Sequence, residues 1–169
     1  MSPGRAQSNA ILRAWCAHIT GRVLSIGSSS DQDGDGHRYR EYFVRADRYD
    51  TSEPTPGQKC DLVLDARSMP SMADASVDAV LCNGVLEHVD DCHAAVRECW
   101  RILKAGGTFL LGVPFAQPLH RAPQDFWRFT EHGVRYLLRA FVIEDLVPIG
   151  DDPKAPSAYL VRARKVAAC

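Results

Sequence analysis

The chain has 169 residues, of which 46% are hydrophobic and 24% charged, and its formal net charge is −1. This length suits one domain around one core, and so small a net charge gives no field for a polyanion, so nucleic acid is not an expected partner. No apolar run approaches the ~20 residues of a membrane span, and the opening MSPGRAQSNA lacks the apolar stretch of a secretory signal. A cytoplasmic protein without membrane contact is expected.

In chain order, Ala10, Ile11, Ala14, Trp15 and Ile19 recur at helical spacing. They predict an amphipathic helix started by Ser8 or Asn9 and ended by Gly21. The run RVLSI at 22–26 reads as a buried strand, and Gly27 with SSSDQDGDGH follows it as a loop. A short helix over 37–42 and a second strand over 42–46 come next. Residues 51–59 hold Pro54, Pro56 and Gly57 and are excluded as strand interior. DLVL at 61–64 and VDAVLC at 77–82 are the third and fourth strands.

Asp90 or Asp91 caps a helix carrying Ala95, Val96, Cys99, Trp100 and Leu103, which stops at Lys104, Ala105, Gly106 and Gly107. TFLLGV at 108–113 is a fifth strand closed by Pro114. Thr130 caps a helix reaching 138 or 139. The last strands, 141–149 and 157–163, are joined by a connection too short for a parallel crossover, so they form an antiparallel hairpin. Alternating strands and helices predict an α/β fold: a doubly wound, Rossmann-like sheet, mostly parallel, with helices on both faces. The expected layout is a single domain with an N-terminal helix over 1–21, a ligand-binding core over 22–113, a loop and helix over 114–139 and the hairpin over 140–169.

In such sheets ligands sit outside the carboxyl ends of the strands, so the residues after each strand carry the function. After the first strand, Gly27 lets backbone approach a ligand, and Ser28 and Ser29 extend a possible cradle of N–H groups. There is no G-x-G-x-x-G, which counts against a dinucleotide. Asp47, taken as the end of the second strand, stands where a ribose diol is bonded, or is a surface acid between Arg45 and Arg48. After the third strand, Asp65 faces an exocyclic amine and Met69 packs on a flat ring or on the core. After the fourth come Asn83 and the segment GVLEHV. After the fifth, Phe115 opens a loop bearing His120, Arg121, Asp125, Trp127 and Arg128.

The cysteines, Cys16, Cys60, Cys82, Cys92, Cys99 and Cys169, form no C-x-x-C. Free thiols acting as small hydrophobes are expected, without disulfides and without a bound metal. The loop SSSDQDGDGH begins like a calcium loop, with Asp31, Asp33, Asp35 and Gly36 at suitable spacing. Position twelve, however, is Tyr42 where a bidentate glutamate is needed, and a strand precedes the loop. Calcium is therefore not expected, and Asp33 and Asp35 read as solvated turn residues.

Taken together, VLSIGSSS, DLVLDARSMP, VDAVLCNGVLEHVDD, CWRILKAGGTFLLGVPF and HRAPQDFWRFTEHGVRYLL resemble the class I S-adenosylmethionine-dependent methyltransferases, in particular the small methyltransferase type 11 group. The resemblance covers about residues 22–139. It implies S-adenosyl-L-methionine as cofactor, S-adenosyl-L-homocysteine as product, and O- or N-methylation of a small-molecule acceptor such as a sugar, natural-product intermediate or acid. It implies that Gly27, Ser28 and Ser29 line the methionine part, Asp47 takes the ribose, Asp65 and Ala66 meet adenine, and Asn83 closes the pocket by the sulfonium. Asp31 would replace the acid missing at Ser25, and His88 would approach from below. The loop from Phe115 to Trp127 would face the acceptor, with Trp127 and Phe115 as walls, Arg128 beside them, and His120 and Asp125 as candidate catalytic bases. The acceptor pocket would be open or completed by a second copy in a homodimer. The departures Ser25 and Ser29 leave a second reading, a methyltransferase-fold protein with little or no catalysis that serves as a binding or scaffold subunit.

Overall fold

A computed structural model describes residues 3–28, 30–57 and 59–166. Seven strands form one sheet in the order β3-β2-β1-β4-β5-β7-β6. They are β1 Thr20–Ile26, β2 Arg45–Glu53, β3 Leu62–Val63, β4 Val77–Asn83, β5 Leu103–Pro114, β6 Phe141–Ile149 and β7 Ala158–Lys165. The first five run parallel. β7 is antiparallel to both β5 and β6, so the expected terminal hairpin is present.

Helices cover both faces. Helix α2, Cys92–Ile102, and helix α3, Glu131–Leu137, bury Ala95, Val96, Cys99, Val134 and Leu137 in the larger core with Phe109, Leu111 and Val161. Helix α1, Pro3–Cys16, covers the other face and packs Leu12 and Cys16 with Val23, Leu81 and Leu110. The caps follow from sequence: Asp91 accepts from Ala94 N at 2.8 Å and Thr130 from Gly133 N at 3.0 Å.

The structure changes several expected boundaries. α1 begins well before Ser8 and Asn9, which lie inside it, and Gly21 falls within β1. α2 ends at Ile102. Residues 104–107 then loop out within β5, between the pairs Val77↔Leu103 and Ala79↔Thr108.

The largest change concerns β2, which spans 45–53 in place of 42–46. Its carboxyl half, Asp50, Thr51, Ser52 and Glu53, is buried yet polar. Hydrophobic periodicity is blind to such a strand; what holds it is pairing. Asp50 accepts from Arg22 Nε at 2.9 Å and Arg48 Nε at 2.8 Å, and Thr51 N donates to Asp61 Oδ2 at 2.9 Å. Buried polar groups persist in a sheet when they are bonded in this way.

Among its described residues the connection from β1 to β2 contains no α-helix, only a 3₁₀ turn at Tyr39–Tyr42. Acidic side chains organise it. Asp33 is buried, not solvated: it accepts from Asp35 N at 2.7 Å, His37 N at 3.0 Å and the Tyr42 hydroxyl. Asp35 is exposed and accepts from Asn9 Nδ2 at 2.7 Å, tying the loop to α1.

Candidate functional site

Two hollows lie against the carboxyl ends of the parallel strands. The smaller, about 240 Å³, is lined by Ile26, Gly27, Leu64, Asp65, Ala66 and Val85 among others. The larger, about 630 Å³, is walled by Tyr39, Asn83, Gly84, Glu87 and Gly112, and by residues of α1 and of the β6–β7 turn.

Gly27 turns the chain at the end of β1 with φ +61°, and an added Cβ would meet Val85 Cγ2 at 2.8 Å. Backbone conformation and space thus both demand glycine here. Ser28 is committed to the strands: its Oγ donates to the Ser25 carbonyl at 2.8 Å and accepts from Ser52 N at 3.2 Å. Ser29 lies outside the described residues. Ala66 is buried in the lining of the smaller hollow, and Asp65 stands at its rim in an ion pair with Arg67 at 2.7 Å. The Arg67 side chain holds the Asp65 carboxyl below the usual carboxylate range. Asn83 faces the larger cavity and donates from Nδ2 to the Tyr39 hydroxyl at 2.9 Å.

Other expected residues stand elsewhere. Asp47 is exposed in the first third of β2, at the register shift opposite Gly21 and Arg22. It is six residues short of the strand's end, about 20 Å at strand rise. The acid at the carboxyl end of β2 is Glu53, 8% exposed and followed by Pro54 of the smaller hollow. Pro54 itself was the sequence signal, since it permits the strand to run up to Glu53. Met69 is fully buried in the main core and lines neither hollow, so it packs on the core and not on a ligand ring. Asp31 is buried too; it accepts from the Tyr49 hydroxyl at 2.7 Å and pairs with Arg40 at 3.3 Å, and it lines neither of these hollows.

The loop after β5 is stapled by Arg128, which pairs with Asp125 at 2.6 Å and donates to the carbonyls of Gln117, Pro118 and Trp127. Asp125 also accepts from His120 N at 2.8 Å. The Arg128 guanidinium, with that N–H, holds the Asp125 carboxyl far below the ordinary range. Asp125 is therefore a permanent anion shaping the loop and is poorly matched to a proton acceptor at neutral pH. Trp127 donates from Nε1 to the Val89 carbonyl at 2.8 Å and anchors the loop over the segment after β4. Phe115 packs against Tyr159, ring centroids 6.0 Å apart.

The loop brings His120 onto Glu87 and His88. The two imidazoles meet edge to face with centroids 5.0 Å apart. Each histidine Nε2 lies 3.9 Å from Glu87 Oε1. Glu87 is 3% exposed, and burial pushes its carboxyl above the usual value. Reading strand ends alone missed Glu87, although it stands in the VLEHVDD segment that carried the resemblance.

Residues 38–111 match the family model described as a methyltransferase domain, type 11. Across 97% of the chain the fold superposes on the 1,6-didemethyltoxoflavin-N1-methyltransferase of Burkholderia thailandensis, crystallised with its substrate and S-adenosylhomocysteine. The TM-score is 0.70 with 22% identity, and 79% of that chain is covered. The N-methyltransferase NodS of Bradyrhizobium japonicum WM9 gives a TM-score of 0.73 at 15% identity, over 98% of both chains. In sequence, a ubiquinone biosynthesis O-methyltransferase of Xanthomonas oryzae is 41% identical over 64 residues, 38% of this chain. The matched stretches span only 17% to 24% of the length of the curated relatives. The fold is that of the class I S-adenosylmethionine-dependent methyltransferases.

Proposed function

We propose that the protein is an S-adenosylmethionine-dependent methyltransferase acting on a small molecule at oxygen or nitrogen. The observation that carries this reading is the pair of hollows at the carboxyl ends of the parallel strands, the smaller lined by Gly27, Pro54 and Val85 and the larger by Asn83 and Gly84. The residues present fit the cofactor. Gly27 supplies the close backbone approach; Ala66, Leu64 and Val85 form an apolar slot of a size for a purine, with Asp65 at its rim; and Glu53 is the acid suited to the ribose hydroxyls. Asn83 and Tyr39 border the larger cavity, where the acceptor would enter.

When bound, the cofactor supplies an activated methyl group. What remains for the chain is to orient the acceptor and exclude water, and the loop 115–128 over Glu87 does this. A proton leaving an acceptor hydroxyl would pass to the bare Nε2 of His120 or His88. Among the described residues no helix is long and apolar enough to cross a membrane. Domain limits, the absence of a nucleic-acid partner, a cytoplasmic location and a possible homodimer belong to this same proposal.

A second reading, a binding or scaffold subunit with weak catalysis, is favoured by Ser25, which stands where the resemblance implies an acid and whose backbone carbonyl accepts from Ser28 Oγ and Ser52 Oγ. Calorimetry with S-adenosylhomocysteine separates the two. Saturable binding, followed by methyl transfer in an acceptor screen, supports the enzyme; no heat and no thermal shift at millimolar ligand would sink it.

A further inference from the structure

The trio Glu87, His88 and His120 has more order than proton transfer requires. Its three ligand-capable atoms all lie within 4.8 Å of one another. His88 Nδ1 contacts the Gln124 carbonyl oxygen, and His120 Nδ1 lies 3.0 Å from the Pro118 carbonyl oxygen. A carbonyl only accepts, and Asp125 Oδ2 lies 3.6 Å from His120 Nδ1, so in each ring Nδ1 carries a hydrogen and, in the neutral ring, Nε2 is a bare lone pair. Both lone pairs converge on Glu87 Oε1 at 3.9 Å, an acceptor that offers them no proton as a carboxylate. The other oxygen, Glu87 Oε2, is buried with no hydrogen-bond partner. Three acceptors facing one another, one of them orphaned in a buried position, are a costly arrangement unless something positive sits between them.

The geometry points to a divalent transition-metal site formed by Glu87 Oε1 or Oε2 with the Nε2 atoms of His88 and His120. Atoms bound to one ion at about 2.0–2.2 Å lie roughly 3.0–3.5 Å apart. The two 3.9 Å separations therefore need only a small contraction. Backbone carbonyls holding the far ring nitrogens are what metal-bound histidines ordinarily have, since they set tautomer and ring angle together. Two imidazoles and one carboxylate select Zn²⁺, Mn²⁺, Fe²⁺ or Co²⁺ over Mg²⁺ and Ca²⁺, whose preference is oxygen.

Three protein ligands leave coordination positions open, and Glu87 lines the larger cavity. Resting on the methyltransferase reading above, an acceptor bearing a hydroxyl, best a vicinal diol or catechol able to chelate, would bind the ion through oxygen. The ion would then lower that hydroxyl's pKa and hold it as the nucleophile. With both Nε2 atoms on the ion, the histidines no longer take the proton, which goes to solvent through the cavity mouth, and no oxidant or reductant is involved.

The test uses untagged protein without cofactor or acceptor, so it is independent of catalysis. Co²⁺ is titrated into chelator-treated protein, with visible absorption and calorimetry as readouts. One equivalent is expected to bind saturably with d–d bands of mixed nitrogen and oxygen ligation. Removing a ligand should weaken binding by at least about tenfold, the low end of what even outer-sphere partners contribute. His120→Ala, on a partly exposed loop, and Glu87→Gln should both show that loss, whereas His93→Ala on exposed α2 surface should not. Absence of saturable uptake at millimolar Co²⁺, or unchanged affinity in both His120→Ala and Glu87→Gln, overturns the site. Metal binding without methyl transfer would leave the site standing and remove only the proposed reaction.

Discussion

Gly112 lies so close to Asn83 that a Cβ on it would fall 1.9 Å from Asn83 Oδ1 and 3.1 Å from Leu160 Cδ2. The two residues are register partners on β5 and β4. Glycine on one strand thus makes room for an amide on its neighbour, and the amide reaches the Tyr39 hydroxyl. Gly112→Ala must expel the Asn83 side chain or part the strands. Overpacking of this kind costs about 1–3 kcal/mol. Urea denaturation should show that loss, and calorimetry should show weaker S-adenosylhomocysteine binding than the stability loss alone explains. Unchanged stability and affinity would refute the coupling.

The two acids of β2 are predicted to behave oppositely. Glu53→Gln at the carboxyl end should weaken S-adenosylhomocysteine binding by about tenfold or more, equivalent to some 1.4 kcal/mol. Asp47→Ala, exposed at the other end of the strand, should leave affinity within error. Isothermal titration of both variants beside the parent protein decides, and the reverse ranking would return the ribose role to Asp47.

Tyr42 is 2% exposed, donates to the Asp33 carboxylate and accepts from Arg13 Nη2 at 3.3 Å. Tyr42→Phe leaves Asp33 short of a charge-assisted bond and should cost about 1.5–3 kcal/mol in urea unfolding. Because Asp33 is already saturated by the chain, millimolar Ca²⁺ or a calcium chelator should leave the melting temperature unmoved.

Asp61 gives a pH test with a definite sign. Its Oδ2 accepts from Thr51 N at 2.9 Å and Thr51 Oγ1 at 2.8 Å, and these bonds, the backbone one first, hold its carboxyl below the usual range. A depressed pKa in the folded state adds stability that is present above the unfolded value of about 3.9 and is lost as pH falls through the folded one. Asp61→Asn should therefore unfold at lower urea near neutral pH, with the gap to the parent protein closing on acidification below about pH 4. A gap independent of pH would assign the effect to packing.

Legibility in the sequence tracked the physical signal each element carries. The β6–β7 hairpin followed from a connection too short to cross over, and α2 and α3 from Asp91 and Thr130 ahead of apolar residues at helical spacing. β2 was misplaced because its buried half is Asp50, Thr51, Ser52 and Glu53, stabilised by partners on β1 and near β3 that no local pattern reveals. That shift put Asp47, and not Glu53, at the expected carboxyl end of the strand. Gly27, Ala66 and Asn83 stand at or just beyond the carboxyl ends of β1, β3 and β4 and line the hollows there, since the carboxyl-end rule needs only strand boundaries. Met69 and Asp31 were assigned by sequence position, but one fills the core and the other is enclosed by Tyr49 and Arg40. The meeting of His120 with Glu87 and His88 depends on how Arg128 and Asp125 fold the loop after β5, which is a tertiary fact.

The crossover from β1 to β2 is fastened at its end by the buried rings of Tyr42 and Phe43, and before them by carboxylate bonds from Asp31, Asp33 and Asp35. Segments held by few apolar contacts open at lower free energy than the sheet they cover. Residues 30–38 carry no apolar side chain, so their amide hydrogens should exchange with deuterium sooner than those of β1 and β4. Tyr39, which borders the larger cavity, rides on this segment. One wall of that cavity thus adjoins a turn held by polar bonds to buried carboxylates, where the opposite wall rests on oil.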